Sequence, residues 1–150
     1  MQREVELFVD HPSLKYDEGE VLGMIQIAIR AIGDAFPDGD VSIALLSDQK
    51  VAELHGEFLD DPSETDVITF PGDADMDFAG EICVSVDQAN TVCSENGTTL
   101  SEEITLYIVH GLLHLAGYND KSDTDIPRMR QGERDVMQVL KSASSIPDFH

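Results

Sequence analysis

The chain has 150 residues, 41% of them hydrophobic, which suits one domain with a core of its own. Nine Lys and Arg face thirty Asp and Glu, a formal net charge of −21, so a broad basic groove is excluded and phosphate backbones meet repulsion at low salt. No apolar run reaches the ~18 residues of a membrane span, and Met1-Gln2-Arg3-Glu4-Val5 lacks the basic and then apolar pattern of a signal peptide; a cytoplasmic protein without a membrane partner is expected.

In chain order, Arg3 to Val9 places Val5, Leu7 and Val9 on one side and predicts a strand. Val21 to Phe36 carries Val21, Leu22, Ile25, Ile29 and Ile32 at helical spacing. Pro37-Asp38-Gly39-Asp40 is a turn, and Val41 to Leu46 a short apolar strand. Ser47 or Asp48 caps a helix to about Phe58, followed by an acidic loop from Asp60 to Glu64. Asp66 to Phe70 predicts a strand that Pro71-Gly72 ends. Gly72 to Asp77 reads as a mobile acidic stretch, Glu81 to Val86 as a fourth strand, and Asp87 to Ser94 as a short helix.

Thr99 and Glu102 have the spacing of a capping box. From Ile104 to Ala116 nearly every residue is apolar apart from Thr105 and two histidines, the mark of a buried helix, and Gly117 supplies its stop. Ile126 to Leu140 predicts a last amphipathic helix with Pro127 in its first turn, before a loose tail at 142–150. The order predicts an α+β single domain over 1–150: a small mixed sheet of about four strands packed with helices. Cys83 and Cys93 do not form a disulfide framework, and Cys83 reads as a buried thiol.

The stretch His110-Gly111-Leu112-Leu113-His114-Leu115-Ala116-Gly117-Tyr118-Asn119-Asp120 carries the chemistry. Residues four apart on an α-helix differ by about 40° around the axis and about 6 Å along it, so the two imidazoles leave one face. Two nitrogens so placed can converge on one cation at roughly 2.0–2.1 Å each. The helix break at Gly117 lets Asp120 return as a third, oxygen ligand, leaving one open position as catalytic zinc sites do. Two histidines buried on an apolar helix without partners would each cost on the order of 2 kcal/mol, a cost that a metal removes. The helix is similar to the two-histidine helix of metalloproteases, yet Gly111 stands where those enzymes carry a glutamate base. Two histidines and a carboxylate also suit non-haem iron(II) oxygenases.

Beyond this spacing, the sequence resembles the YbeY family of rRNA maturation factors. Residues His110 through Tyr118 match its His-Gly-x-Leu-His-Leu-x-Gly-Tyr motif. Thr65-Asp66-Val67-Ile68-Thr69-Phe70-Pro71 and Gly80-Glu81-Ile82-Cys83-Val84-Ser85 match two further signatures in the family's order. The likeness spans about Val5 to Leu140 and implies a zincin-like metal helix buried beside the sheet. It also implies a zinc-dependent single-strand endoribonuclease that matures ribosomal RNA, notably the small-subunit 3′ end, and serves ribosome quality control. Single-stranded RNA and ribosomal components are the implied partners; DNA is not. The chain departs from the family at Asp120, where a histidine is usual, at Asn119, where aspartate is usual, and at Leu59, aligned with an arginine.

No catalytic residue is assigned. Asp66 and Glu81 are general-base candidates by strand location only, and Tyr118 either faces the cleft or packs on the helix end. His11, His55 and His150 receive no role. Arg128, Arg130 and Arg134 form either a modest positive stripe near the site or ordinary pairs with Glu133 and Asp135. The alternative function is a catalytically weak ribosome-assembly factor whose metal is mainly structural.

Overall fold

The computed structural model describes residues 3–59 and 67–150. Four strands, β1 (Val5–Asp10), β2 (Asp40–Leu46), β3 (Val67–Asp73) and β4 (Phe78–Ser85), form one sheet in the order β1-β2-β4-β3. β2 pairs in parallel with β1 and β4, while β3 pairs antiparallel to β4 as a hairpin. The helices are α1 (Glu18–Ile32), α2 (Asp48–Leu59), α3 (Val86–Asn96), α4 (Leu100–Leu115) and α5 (Asp125–Ser142). This is the mixed four-stranded α+β single domain that the pattern predicts.

Side chains alternate across the sheet as strand geometry requires. Val41, Ile43 and Leu45 of β2 and Ile82 and Val84 of β4 enter the main core with α1, α4 and α5. Ala44, Leu46 and Cys83 point the other way, into a smaller cluster with Val51 of α2. α4 lies in the middle of the main core with Ile104, Ile108 and Leu112 fully buried, and its N-terminus carries the complete Thr99–Glu102 capping box. Apolar burial, at roughly 25 cal/mol per Å², holds α4 in this central position and makes it a rigid base for its polar side chains.

Four expectations change. Helix α1 stops at Ile32 because Gly33 takes φ 84° there, and a short 3-10 turn (Gly33–Ala35) follows. Strand β3 continues through Pro71 and Gly72 to Asp73, with Pro71 opposite Gly80; β3 is a sheet edge, where a missing N–H is tolerated. The acidic stretch expected to be mobile is the turn of this hairpin, tightened by Ala74–Met76, and β4 begins at Phe78. The tail expected to be loose is docked: Phe149 is buried, and Lys15 and His150 exchange both backbone hydrogen bonds. The 60–64 loop, Thr65 and Asp66 lie outside the described residues.

Candidate functional site

The last two turns of α4 present His110 and His114 on one face, with ring centroids 4.5 Å apart and planes at 86°. Gly117, at φ 99°, ends the helix, and the Tyr118 N–H returns to the Leu113 carbonyl at 3.0 Å. The reversed chain brings in Asp120, whose Oδ2 lies 3.3 Å from His110 Nε2 and 3.5 Å from His114 Nε2. The two Nε2 atoms are 3.0 Å apart. The structure therefore brings together all three residues singled out in the sequence, and it is their Nε2 and Oδ2 atoms that converge.

The opposite ring nitrogens determine what these atoms can do. His110 Nδ1 faces Glu133 Oε2 at 2.7 Å, and His114 Nδ1 faces the Tyr118 carbonyl at 3.0 Å. Carboxylate and carbonyl are acceptors, so both Nδ1 atoms carry the proton, and in neutral rings both Nε2 atoms present bare lone pairs. Two lone pairs and a carboxylate oxygen then face one another at 3.0–3.5 Å, an arrangement that repels itself unless a cation lies among them. Donor atoms of a tetrahedral zinc site, each about 2.0–2.1 Å from the ion, lie about 3.3 Å apart. The donor set thus fits a divalent cation in atom type, protonation and spacing.

Glu133 belongs to this arrangement although the sequence pointed only to a charge partner for arginine. It lies on α5 with Met129, Val136 and Leu140, all buried. The readable signal was a carboxylate in an apolar stripe at helical spacing. Arg130 Nη1 donates to Glu133 Oε1 at 2.7 Å. Burial opposes ionisation of Glu133, but the hydrogen bonds from His110 and Arg130 outweigh it and hold the carboxyl below its ordinary value.

Gly111 is a packing residue. A Cβ there would lie 2.5 Å from Ile82 Cγ2 of β4, so the position that carries the base in peptidases is pressed against the sheet. Beside His114 opens a cleft of about 580 Å³, lined by the β3–β4 hairpin and by Pro37 and Asp38. Asp38 and Asp77 give it an acidic wall.

The remaining candidates fall elsewhere. Glu81 lies on the Cys83 side of β4, the face turned from α4, with Cys83 Sγ 3.9 Å from its Oε1; the structure does not bring it to the histidines. Burial, then the charge of Glu81, pushes the Cys83 thiol up to about 12, and both cysteines are free and buried. His11 ties the end of β1 to Asp87 of α3 at 2.9 Å and lines a small cavity with Leu100, at the opposite end of α4 from His110 and His114. Asp66 and the side chains of His55 and Leu59 lie outside the described residues. Of the α5 arginines, Arg130 pairs with Glu133 and Arg134 bonds Gln131 at 3.0 Å, while Arg128 stacks over the Tyr118 ring.

Comparison with known proteins agrees with the motif. The sequence model of the family described as Endoribonuclease YbeY matches residues 11–141. The chain is 31% identical over 145 residues to the Endoribonuclease YbeY of Salinibacter ruber, covering 91% of each. It is 36% identical over 110 residues to that of Nautilia profundicola (73% of this chain, 78% of the relative) and 37% identical over 117 residues to that of Chlamydia pneumoniae (71% and 73%). The solution structure of TM1509 from Thermotoga maritima shares the fold at TM-score 0.65 and 24% identity, covering 94% of this chain and 92% of that one. With a family match over most of its length and three relatives above 30% identity, the chain belongs to the YbeY endoribonuclease family.

Proposed function

We propose that the chain is a metal-dependent single-strand endoribonuclease that matures ribosomal RNA at the small-subunit 3′ end and serves ribosome quality control. One observation carries the chemistry: His110 Nε2, His114 Nε2 and Asp120 Oδ2 converge while both Nδ1 atoms are committed as donors. These three residues would hold one divalent cation, for which zinc is the expected element. Such a cation, when bound, polarises a phosphoryl oxygen and lowers the pKa of water toward ~7.

The chain's own residues supply orientation. Glu133 and the Tyr118 carbonyl fix the two imidazoles by their Nδ1 protons. Asp120, a carboxylate where relatives of this type carry histidine, adds negative charge to the donor set; it favours tighter cation retention, less acidic bound water and better competition from harder metals. His110, His114 and Asp120 act as ligands, and none of them serves as a base.

The decisive experiment is turnover. Purified protein loaded with zinc cleaves single-stranded RNA, and His114→Ala abolishes cleavage while elemental analysis shows the metal lost. Undiminished cleavage by the variant would assign the activity to a contaminant. A second reading, an assembly factor with a mainly structural metal, draws on the acidic wall of Asp38 and Asp77 beside His114; it predicts metal retention and ribosomal association with no turnover.

A further inference from the structure

We propose that Arg128 grips a backbone phosphate of the RNA next to the metal centre, and so positions the strand; the inference rests on the endoribonuclease reading above. Arg128 lies in the first turn and a half of α5, exposed, with Cζ 4.3 Å from the centroid of the Tyr118 ring. Gly132, four residues on and on the same face of α5, seats that ring: a Cβ there would lie 3.0 Å from Tyr118 Cε2. The carbonyl of the same tyrosine holds His114 Nδ1 at 3.0 Å. One residue therefore joins the guanidinium to the histidine that faces the cation site.

Stacking occupies the face of a guanidinium and leaves its in-plane N–H donors for an oxyanion. Among the described residues, Arg128 makes no ion pair, in a chain where thirty carboxylates face nine basic side chains. The neighbouring arginines are engaged, Arg130 by Glu133 and Arg134 by Gln131. The cleft beside His114 is lined by Asp38 and Asp77, which repel phosphate, and Arg128 is not among the residues that line it. A strand reaching the centre thus meets carboxylates along the hairpin and, on α5, a guanidinium without an ion pair among the described residues. That asymmetry sets the side on which the backbone continues.

The test uses the metal-loaded full chain and a labelled single-stranded RNA, 2′-O-methyl-modified and shown intact by gel, titrated across a range of salt. Arg128→Ala is expected to weaken binding about tenfold and to reduce the slope of log K against log salt by about 0.7, the share of one phosphate on a single strand. Arg128→Lys restores only part of the affinity, since it keeps the charge and loses the fork and the stack. Arg30→Ala, which removes the same charge from an exposed position on α1, leaves binding as it was. On cleavable RNA, Arg128→Ala raises KM with kcat and metal retention held. Wild-type affinity and slope in Arg128→Ala would overturn the assignment while leaving the nuclease reading intact, and so would an equal loss in Arg30→Ala. A wild-type chain that neither binds nor cleaves RNA would remove both.

Discussion

His110 Nδ1 lies 2.7 Å from Glu133 Oε2, and this contact decides which nitrogen of His110 remains free. Because the carboxylate accepts the Nδ1 proton, Nε2 keeps its lone pair and points at Asp120 and His114. Partners of this kind orient metal-binding imidazoles and raise their basicity, and their loss typically costs 10–100-fold in metal affinity. Glu133→Gln is therefore expected to lower zinc affinity by about 10–100-fold, read by competition with a chromophoric chelator, with the far-ultraviolet circular dichroism unchanged. Wild-type affinity in the variant would make the contact incidental.

Asp120 is the only one of the three converging residues outside the rigid helix, delivered by the turn at Gly117. Asp120→Ala leaves two donors, and the expected loss of zinc affinity exceeds that of Glu133→Gln. Asp120→His restores a third donor without the negative charge. Bound water then becomes more acidic, so the ascending limb of the pH–rate profile for RNA cleavage moves to lower pH. A profile that stays in place would show that the carboxylate does not tune the water.

Much of this site was legible because it depends on local pattern. The apolar run of α4, the Thr99–Glu102 cap and the Gly117 stop define one buried helix, and spacing alone puts His110 and His114 on one face. Non-local features were less accessible. The order β1-β2-β4-β3 rests on pairings between distant segments, and Pro71 looked like a terminator because sequence does not reveal that its strand is an edge. The tail looked loose because one aromatic, Phe149, docks it where no periodic stripe announces a partner. Arginine pairing was half legible: Arg130 meets Glu133, whereas Arg128 lies on Tyr118.

Asp87 gives the fold an acid-sensitive tether outside the site. Its Oδ1 faces His11 Nε2 at 2.9 Å and its Oδ2 accepts the Asp48 N–H at 2.8 Å. The nearby Ser13 and Leu14 N–H groups donate to His11 Nδ1, so His11 Nε2 carries the proton toward Asp87. Burial pushes the Asp87 carboxyl up, but the bonds from His11 and Asp48 outweigh it and hold it below its ordinary value. A carboxyl depressed in the folded state stabilises fully above its unfolded pKa, and that contribution is lost as pH falls through the folded value. Urea midpoints from about pH 6 down to about pH 2.5 should therefore fall less steeply for Asp87→Asn than for wild type, with the difference confined to pH below about 4. Parallel curves would show that the tether adds nothing. Glu133, depressed in the same direction, keeps part of the acid limb in the variant.

Gly111 tests how closely α4 must approach the sheet. Its absent Cβ would fall 2.5 Å from Cγ2 and 3.0 Å from Cδ1 of Ile82, a fully buried residue. Overpacking of this kind costs about 1–3 kcal/mol, while replacing a helical glycine by alanine returns about 0.5–1 kcal/mol. At the middle of both ranges Gly111→Ala should thus be net destabilising by about 1.25 kcal/mol, which at about 2–4 °C per kcal/mol for a domain of this size lowers Tm by roughly 2.5–5 °C. The clash is with one side chain, so Ile82→Ala should relieve it, and the double variant should be more stable than the sum of the single losses predicts. Strict additivity would show that the helix sits further from β4 than these contacts imply. The same crowding explains why a carboxylate base cannot follow His110 in this chain as it does in the two-histidine peptidases, so proton transfer in cleavage has to be sought from groups around the cleft and not from within α4.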